Sequence, residues 1–312
     1  MTDITIGADI SKDHIDLHSL PDGQTLKVAN DRKGFAAILK WIGAKRVQRI
    51  VFEPTGPYHK AFERFMVVQG LPLSKLNPRL ARRFCEATGQ LAKTDRIDAA
   101  LLSRYGALLE PRLLQANTQT HNDLKELHMA RLAHIKDSTA AKNREKSLTN
   151  PLLKRHNGER LRQIERQIKA VDEAIMALIV EDEAFKARFD ILVSIPGVSQ
   201  VTAFMLLIEM PELGQLNEKA AAALCGLAPI SRQSGRWTGS AFIAGGRAIV
   251  RHALYMPALV ACRFNPDLKV KYSQLKAAGK PPKVAITAIM RKLIVLANAL
   301  LRKNQKWEPR HP

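Results

Sequence analysis

The stretch Ile4-Thr5-Ile6-Gly7-Ala8-Asp9-Ile10 decides the fold class of the first third of this chain. Ile4, Ile6 and Ala8 alternate with period two, the pattern of a strand with one face buried, and the strand ends near Asp9. A second strand follows over residues 14–19. Pro21-Asp22-Gly23 is a turn signal, and a third strand over 25–29 completes a meander. Asn30 is placed to cap a helix that carries Phe35, Ile38, Leu39 and Ile42 at helical spacing. A strand over 49–53, a helix over 60–69, a short strand over 71–76 and a further helix come next.

Three strands, helix, strand, helix, strand, helix is the order of a ribonuclease H-like fold, although order by itself does not single that fold out. This α/β section covers residues 1–107. Residues 108–185 are different: few aromatics, many charges and long helical patterning. Leu161, Ile164, Ile168, Val171, Ile175 and Leu178 are spaced 3,4,3,4,3, a heptad seam of nearly three repeats. The seam predicts either an intermolecular coiled coil or an amphipathic helix packed on its own chain. Asn150-Pro151 and Asn157-Gly158 predict breaks upstream of it, hence a helical hairpin. Residues 186–312 form a mostly helical third section.

The chain has 312 residues and a formal net charge of +20, from 49 basic and 29 acidic side chains. Such an imbalance costs self-repulsion and points to a polyanionic partner. From Arg232 onward sixteen Lys or Arg face only Asp267 and Glu308, so this section is the one expected to hold phosphate. Arg232, Arg236, Arg247 and Arg251 are its candidate contacts. No leader peptide and no apolar run of about 18 residues is apparent, which argues against a membrane. Cys85, Cys225 and Cys262 lie far apart without a CxxC pair, which argues against structural zinc and disulfides and for a reducing cytosol.

The chemistry is expected from carboxylates. Asp9 ends one apolar strand, where it is either solvated or paired with a cation. Glu53 ends another (Ile50-Val51-Phe52-Glu53), and Pro54 stops that strand behind it. Ligands of open α/β sheets bind at the carboxyl ends of strands. Asp95 and Asp98, in Lys93-Thr94-Asp95-Arg96-Ile97-Asp98-Ala99, share a helix face by their i,i+3 spacing. Alone, they read first as an N-cap and its acidic first-turn partner. Taken together, four carboxylates suit Mg²⁺, a hard cation that prefers oxygen, and can hold the two ions used in phosphoryl transfer. Ser234, in Arg232-Gln233-Ser234-Gly235-Arg236, reads as a turn residue or as a nucleophile flanked by two arginines able to hold a phosphate. Ile195-Pro196-Gly197-Val198-Ser199 reads as a tight helix–helix turn or as a phosphate-gripping hairpin.

Four ordered segments carry a resemblance. They are Gly7-Ala8-Asp9-Ile10-Ser11-Lys12, Glu53-Pro54-Thr55-Gly56-Pro57-Tyr58, Lys93-Thr94-Asp95-Arg96-Ile97-Asp98-Ala99, and Ser194-Ile195-Pro196-Gly197-Val198 with Gly226-Leu227-Ala228-Pro229 and Arg232-Gln233-Ser234-Gly235. With Gly245-Gly246-Arg247 and Ala253-Leu254-Tyr255-Met256-Pro257-Ala258, the chain resembles the Piv-type DEDD transposases and DNA invertases of insertion-sequence family 110. That family includes bridge-RNA-guided recombinases.

The resemblance implies a RuvC-like nuclease domain in which Asp9, Glu53, Asp95 and Asp98 bind Mg²⁺, with Mn²⁺ able to stand in. It also implies a C-terminal transposase domain with Ser234 at the nucleophile position. Ser231 and Ser240 are nearby, and the register from Gly226-Leu227 with the Arg-Gln-Ser-Gly run selects Ser234. The implied partners are DNA, a structured non-coding RNA and further copies of the chain, in the bacterial cytoplasm. Two other readings stand beside it. One is a Holliday-junction resolvase that uses water as nucleophile. The other is a non-catalytic nucleic-acid-binding protein.

Overall fold

The computed structural model describes residues 3–89, 95–114, 118–235 and 237–309. The chain divides into two compact units, Met1–Ala116 and Asn117–Pro312. The helical middle section therefore shares a unit with the C-terminal section.

The first unit contains β1 (Asp3–Ile10), β2 (His14–Leu20), β3 (Thr25–Ala29), α1 (Arg32–Ile42), β4 (Arg46–Phe52), α2 (His59–Val68), β5 (Leu73–Lys75), α3 (Pro78–Ala87) and α4 (Asp95–Leu109). The sheet order is β3-β2-β1-β4-β5. The meander β1-β2-β3 is antiparallel, whereas β4 and β5 run parallel to β1. One face of β1 (Ile4, Ile6, Ala8, Ile10) packs into a core with Phe35, Ile38, Phe62 and Met66 from α1 and α2. Burying that many large apolar side chains is the main stabilising term of this unit, at about 2 kcal/mol each.

The opposite face of β1 receives α4. Gly7 is the point of contact: a Cβ there would fall on the carbonyl of Ala99 and the N–H of Ser103. Gly106 meets the same face further back, where a Cβ would lie 2.6 Å from Val51 Cγ2 and 2.8 Å from Thr5 Cγ2. The glycines let helix and sheet backbones approach closely. His18, cross-strand from Gly7, shares this face, and its Nδ1 lies 2.7 Å from Ser103 Oγ on α4.

One local expectation is corrected. The cap of α1 is Asp31, whose Oδ1 accepts from Gly34 N at 2.7 Å. Asn30 instead donates through Nδ2 to Ser11 O and Tyr58 O, tying the β1–β2 turn to the loop after β4. Both residue types accept from helix N–H groups equally well, so only the placed backbone distinguishes them.

The second unit begins with two long helices, α5 (Gln119–Glu145) and α6 (Pro151–Glu181). Asn150 caps α6 by accepting from Leu152 N at 2.9 Å, and Pro151 occupies its first turn, as Pro does readily. The expected break at Asn157-Gly158 is absent. Asn157 is buried and donates to Ala141 O of α5 at 3.1 Å, a bond that holds the helix through the weak Asn-Gly pair. The heptad seam turns inward: Leu161, Ile164 and Ile175 are buried, and α6 packs on α5 of its own chain. An Arg131–Asp172 ion pair bridges the two helices.

α7 (Glu183–Val193) and α8 (Gln200–Glu209) follow, then α9 (Glu218–Leu224) and four two-residue strands: β6 (Pro229–Ile230), β7 (Gln233–Ser234), β8 (Trp237–Thr238) and β9 (Phe242–Ile243). The chain continues with α10 (Ala248–Ala253), α11 (Tyr255–Phe264), α12 (Pro266–Ala277) and α13 (Pro282–Lys303). α8 is buried almost all round, at the centre of a core shared by α7, α9, α10, α11 and α13.

Among the described residues α13 is the one helix long and apolar enough to cross a membrane. Here Ile286, Ile289, Met290, Leu293, Ile294 and Ala297 pack into the core of this unit, and Arg291-Lys292 interrupts the apolar run.

Candidate active site

Two carboxylates meet where β1 and β4 end. The register pairs Gly7 with Val51 and Ala8 with Phe52. Continuing it by one residue sets Asp9 beside Glu53, at the spacing of adjacent strands, about 4.8 Å. Parity fixes their face. Asp9 follows Gly7 and Glu53 follows Val51 at the two-residue period, so both project toward α4.

The helix supplies the third. Contacts of Gly106 with Thr5 and Val51, and of Ser103 and Ala99 with Gly7, show that α4 runs antiparallel to β1. Its N-terminal turn therefore lies over the strand ends. Leu102 is buried against Val51 and Leu76, and Asp98 sits one turn before it on the same side. The half-buried thiol of Cys85, on α3, senses both groups. Burial pushes its pKa up, and the Asp98 and Glu53 charges push it further the same way.

Asp9, Glu53 and Asp98 are each half-buried. The side chain of Asp95 lies outside the described residues, although its backbone opens α4. Among the described residues, no three His, Cys, Asp or Glu side chains form a closed metal-holding group. The arrangement is thus two strand-end carboxylates under a helix whose first turns carry another, converging from three elements.

A fourth acidic residue, missed in the sequence, lies on the same rung. Asp16 of β2 is the cross-strand partner of Asp9, and Lys27 of β3 is the partner of Asp16. Alternation along the meander was the available signal, because Asp16 and His18 occupy the polar positions of β2.

Ser234 belongs to a small exposed ribbon. β6 pairs with β9, and β7 pairs with β8. Ser234 is the last residue of β7 and is exposed, and Gly235 after it takes φ +58°, the left-handed region open to glycine. Arg232 is exposed, its guanidinium 4.6 Å from the Phe242 ring centroid, a cation–π contact. Arg236 lies outside the described residues.

The other two arginines are committed within the protein. Arg247 forms a two-pronged bond to Glu212 (2.8 and 2.6 Å) and donates to Glu209 O at 2.6 Å. The hydrogen bond to Glu212 raises its pKa against the opposing effect of burial. On Glu212, burial alone would raise the pKa, and the Arg247 partnership outweighs it, leaving a net lowering. Arg251 donates to Gly245 O at 2.7 Å and to Cys225 O at 3.4 Å. These bonds close the root of the ribbon, where the chain at Gly226 and at Gly245-Gly246 passes so closely that a Cβ on Gly226 or Gly246 would strike backbone of the other segment. Arg247 and Arg251 thus brace the root of the ribbon through these bonds.

Nor is the Ile195–Ser199 turn an open cradle. Gly197 takes φ +102° and packs against α11, where a Cβ would lie 2.8 Å from Pro257 O. Ser199 caps α8 through Thr202 N. The glycine serves helix packing.

Comparison with known proteins places both halves. Residues 6–151 match a transposase family of the DEDD IS110 type, and residues 189–273 match the transposase IS116/IS110/IS902 family. The first span contains all four predicted carboxylates, and the second contains Ser234 and the four arginines. The pilin gene-inverting proteins of Moraxella bovis and Moraxella lacunata are each 28% identical over 320 positions, covering 99% of this chain and 99% of theirs. An uncharacterized 43.6 kDa protein of insertion element IS110 from Streptomyces coelicolor is 30% identical over 152 residues, 48% of this chain and 36% of that one.

Proposed function

This chain belongs to the IS110 family of transposases, enzymes of DNA recombination, and from that premise we propose a metal-dependent reaction that cuts and rejoins DNA through a serine-linked intermediate. The observation that carries the metal-dependent part is the convergence of Asp9, Glu53 and the Asp98-bearing turn of α4 on one face. The sheet order β3-β2-β1-β4-β5 with α4 laid across it supports a RuvC-like reading of this unit.

Hard carboxylate oxygens suit Mg²⁺, and Asp95 would complete the set. Carboxylates of like charge are not expected to close into a cage without a cation between them. When bound, Mg²⁺ supplies charge stabilisation for the attacking and leaving oxygens of a displacement at phosphorus.

Ser234 supplies the nucleophile. Its Oγ forms a bond to phosphorus as the bond from phosphorus to a deoxyribose oxygen breaks. The serine proton leaves with base assistance, and the released oxygen ends as a hydroxyl. Attack by a new hydroxyl on the serine phosphodiester reverses the step, so the number of phosphodiester bonds is conserved and no ATP is required. Exposure on a ribbon with a braced root suits a group that must reach a bulky polymer. We further propose DNA, a structured guide RNA and additional copies of the chain as partners, supported by the net charge of +20 and the basic C-terminal section.

The test is a covalent-adduct assay. Full-length protein is incubated with element-end DNA, flanking RNA and Mg²⁺, then run on a denaturing gel beside Ser234→Ala. An adduct present in the parent and lost in the variant supports the serine route. Cleaved DNA without adduct in either sample would replace it with a water-using nuclease.

Nucleic-acid affinity should fall steeply with salt, each neutralised phosphate contributing about 0.9 to the log–log slope. Arg232→Ala should reduce that slope by about 1, whereas Arg247→Ala should leave it unchanged because its guanidinium is already bonded to Glu212. Equal slope changes in both variants would return Arg247 to the phosphate surface.

A further inference from the structure

The strand ends carry a row of charge that runs across four strands. Glu53 extends β4, Asp9 lies on β1, Asp16 on β2 and Lys27 on β3. The register makes Asp9 and Asp16 direct partners, and likewise Asp16 and Lys27. Directly opposed residues of an antiparallel pair project from the same face, so the row lies on the face that α4 covers. Like charges directly opposed are destabilising unless something between or beside them compensates.

Part of the compensation is built in. Lys27 Nζ lies 3.4 Å from Asp16 Oδ2, and His14 Nε2 lies 3.5 Å from the same oxygen. Asp16 is mostly buried and its Oδ2 has no hydrogen bond, so its charge is little screened by water. Lys27 is mostly exposed, on β3 at the edge of the sheet. The pair is therefore a fixed negative charge next to Asp9 with a cation behind it.

We propose that Asp16 is a positioning residue for the metal-binding carboxylates, strengthening cation binding at Asp9 through its field, and that Lys27 tempers this effect. The inference rests on the reading of Asp9 as a metal ligand. Asp16 need not touch the ion: a charge one strand away acts through space on a divalent cation. A purely structural Asp16–Lys27 pair would behave differently. Removing either partner would then loosen the sheet edge and weaken metal binding in the same direction. A field acting on the metal gives opposite signs.

The experiment measures Mn²⁺ binding to the full chain without DNA, by calorimetry or by the electron paramagnetic resonance signal of free Mn²⁺, with thermal melting as a folding check. Asp16→Asn should weaken binding by about tenfold and Lys27→Met should tighten it by about threefold, as expected for charges one and two strands from the ion. The double variant should fall between them. Changes of the same sign in the two single variants, or no change in either, would overturn the proposal. Lys27→Met stands at an exposed position, so it reports even where Asp16→Asn unfolds. Asp9→Asn is the reference. If it leaves Mn²⁺ affinity unchanged, the metal reading of Asp9 fails. If it abolishes binding while the Asp16 and Lys27 variants behave as the parent, only the present inference fails.

Discussion

Asp9→Asn is expected to lower the rate of DNA strand cleavage by about 10³-fold, equivalent to about 4 kcal/mol of transition-state stabilisation. DNA affinity should stay within about twofold of the parent, because no basic side chain is changed. The size of the effect follows from position. Asp9 stands between Glu53 on one side and Asp16 on the other, under the first turns of α4. An amide of the same shape keeps the packing but removes the charge that a hard cation needs. Cleavage rates under single-turnover conditions, with affinity from filter binding, separate the two terms. A variant that binds and cleaves as the parent does would remove Asp9 from the chemistry. A variant that fails to fold would make it structural.

The second large effect is expected from a single methyl group. Gly7→Ala should destabilise the first unit by at least about 3 kcal/mol, the upper range for overpacking, because what it strikes is backbone. A Cβ at Gly7 would fall on the Ala99 carbonyl and the Ser103 amide, and it would lie 2.9 Å from Leu102 Cβ. None of these can rotate away as a side chain can, so α4 must move as a body. Moving it displaces Asp98 from the strand ends, and cleavage should be lost together with stability. Gly158→Ala is the contrasting variant. Nothing lies within 4 Å of its added Cβ, and it sits inside α6, so it should stabilise by about 0.5–1 kcal/mol. Urea unfolding followed by circular dichroism compares them. If the Gly7→Ala midpoint matched the parent, the docking of α4 on β1 would be wrong.

Local patterns are informative where a single element decides the outcome. The alternation of Ile4, Ile6 and Ala8 identified β1, and Pro54 marked the end of β4 just past Glu53. The same local reasoning failed at Asn157-Gly158, where a buried bond from Asn157 to Ala141 on another helix keeps α6 continuous. At Arg247 the internal partner is invisible locally: a basic residue in a basic section reads as a phosphate contact, and nothing nearby in sequence announces Glu212, thirty-five residues upstream. The neighbours of Asp16 in sequence do not single it out, because its register partner Asp9 lies on the adjacent strand.

What the sequence by itself determined is the strand and helix order of the first unit as far as β5, the placement of Asp9 and Glu53 at strand ends, the shared helix face of Asp95 and Asp98 and the excess of positive charge. These depend on periodicity, on proline and glycine, and on composition, all of which act within a few residues. Only the tertiary structure decided which of those groups share a face, that Asp16 and Lys27 extend the row, and which arginines are already bonded. Those outcomes depend on strand register and on how closely α4 can approach at Gly7, and both are set by packing between segments far apart in the chain.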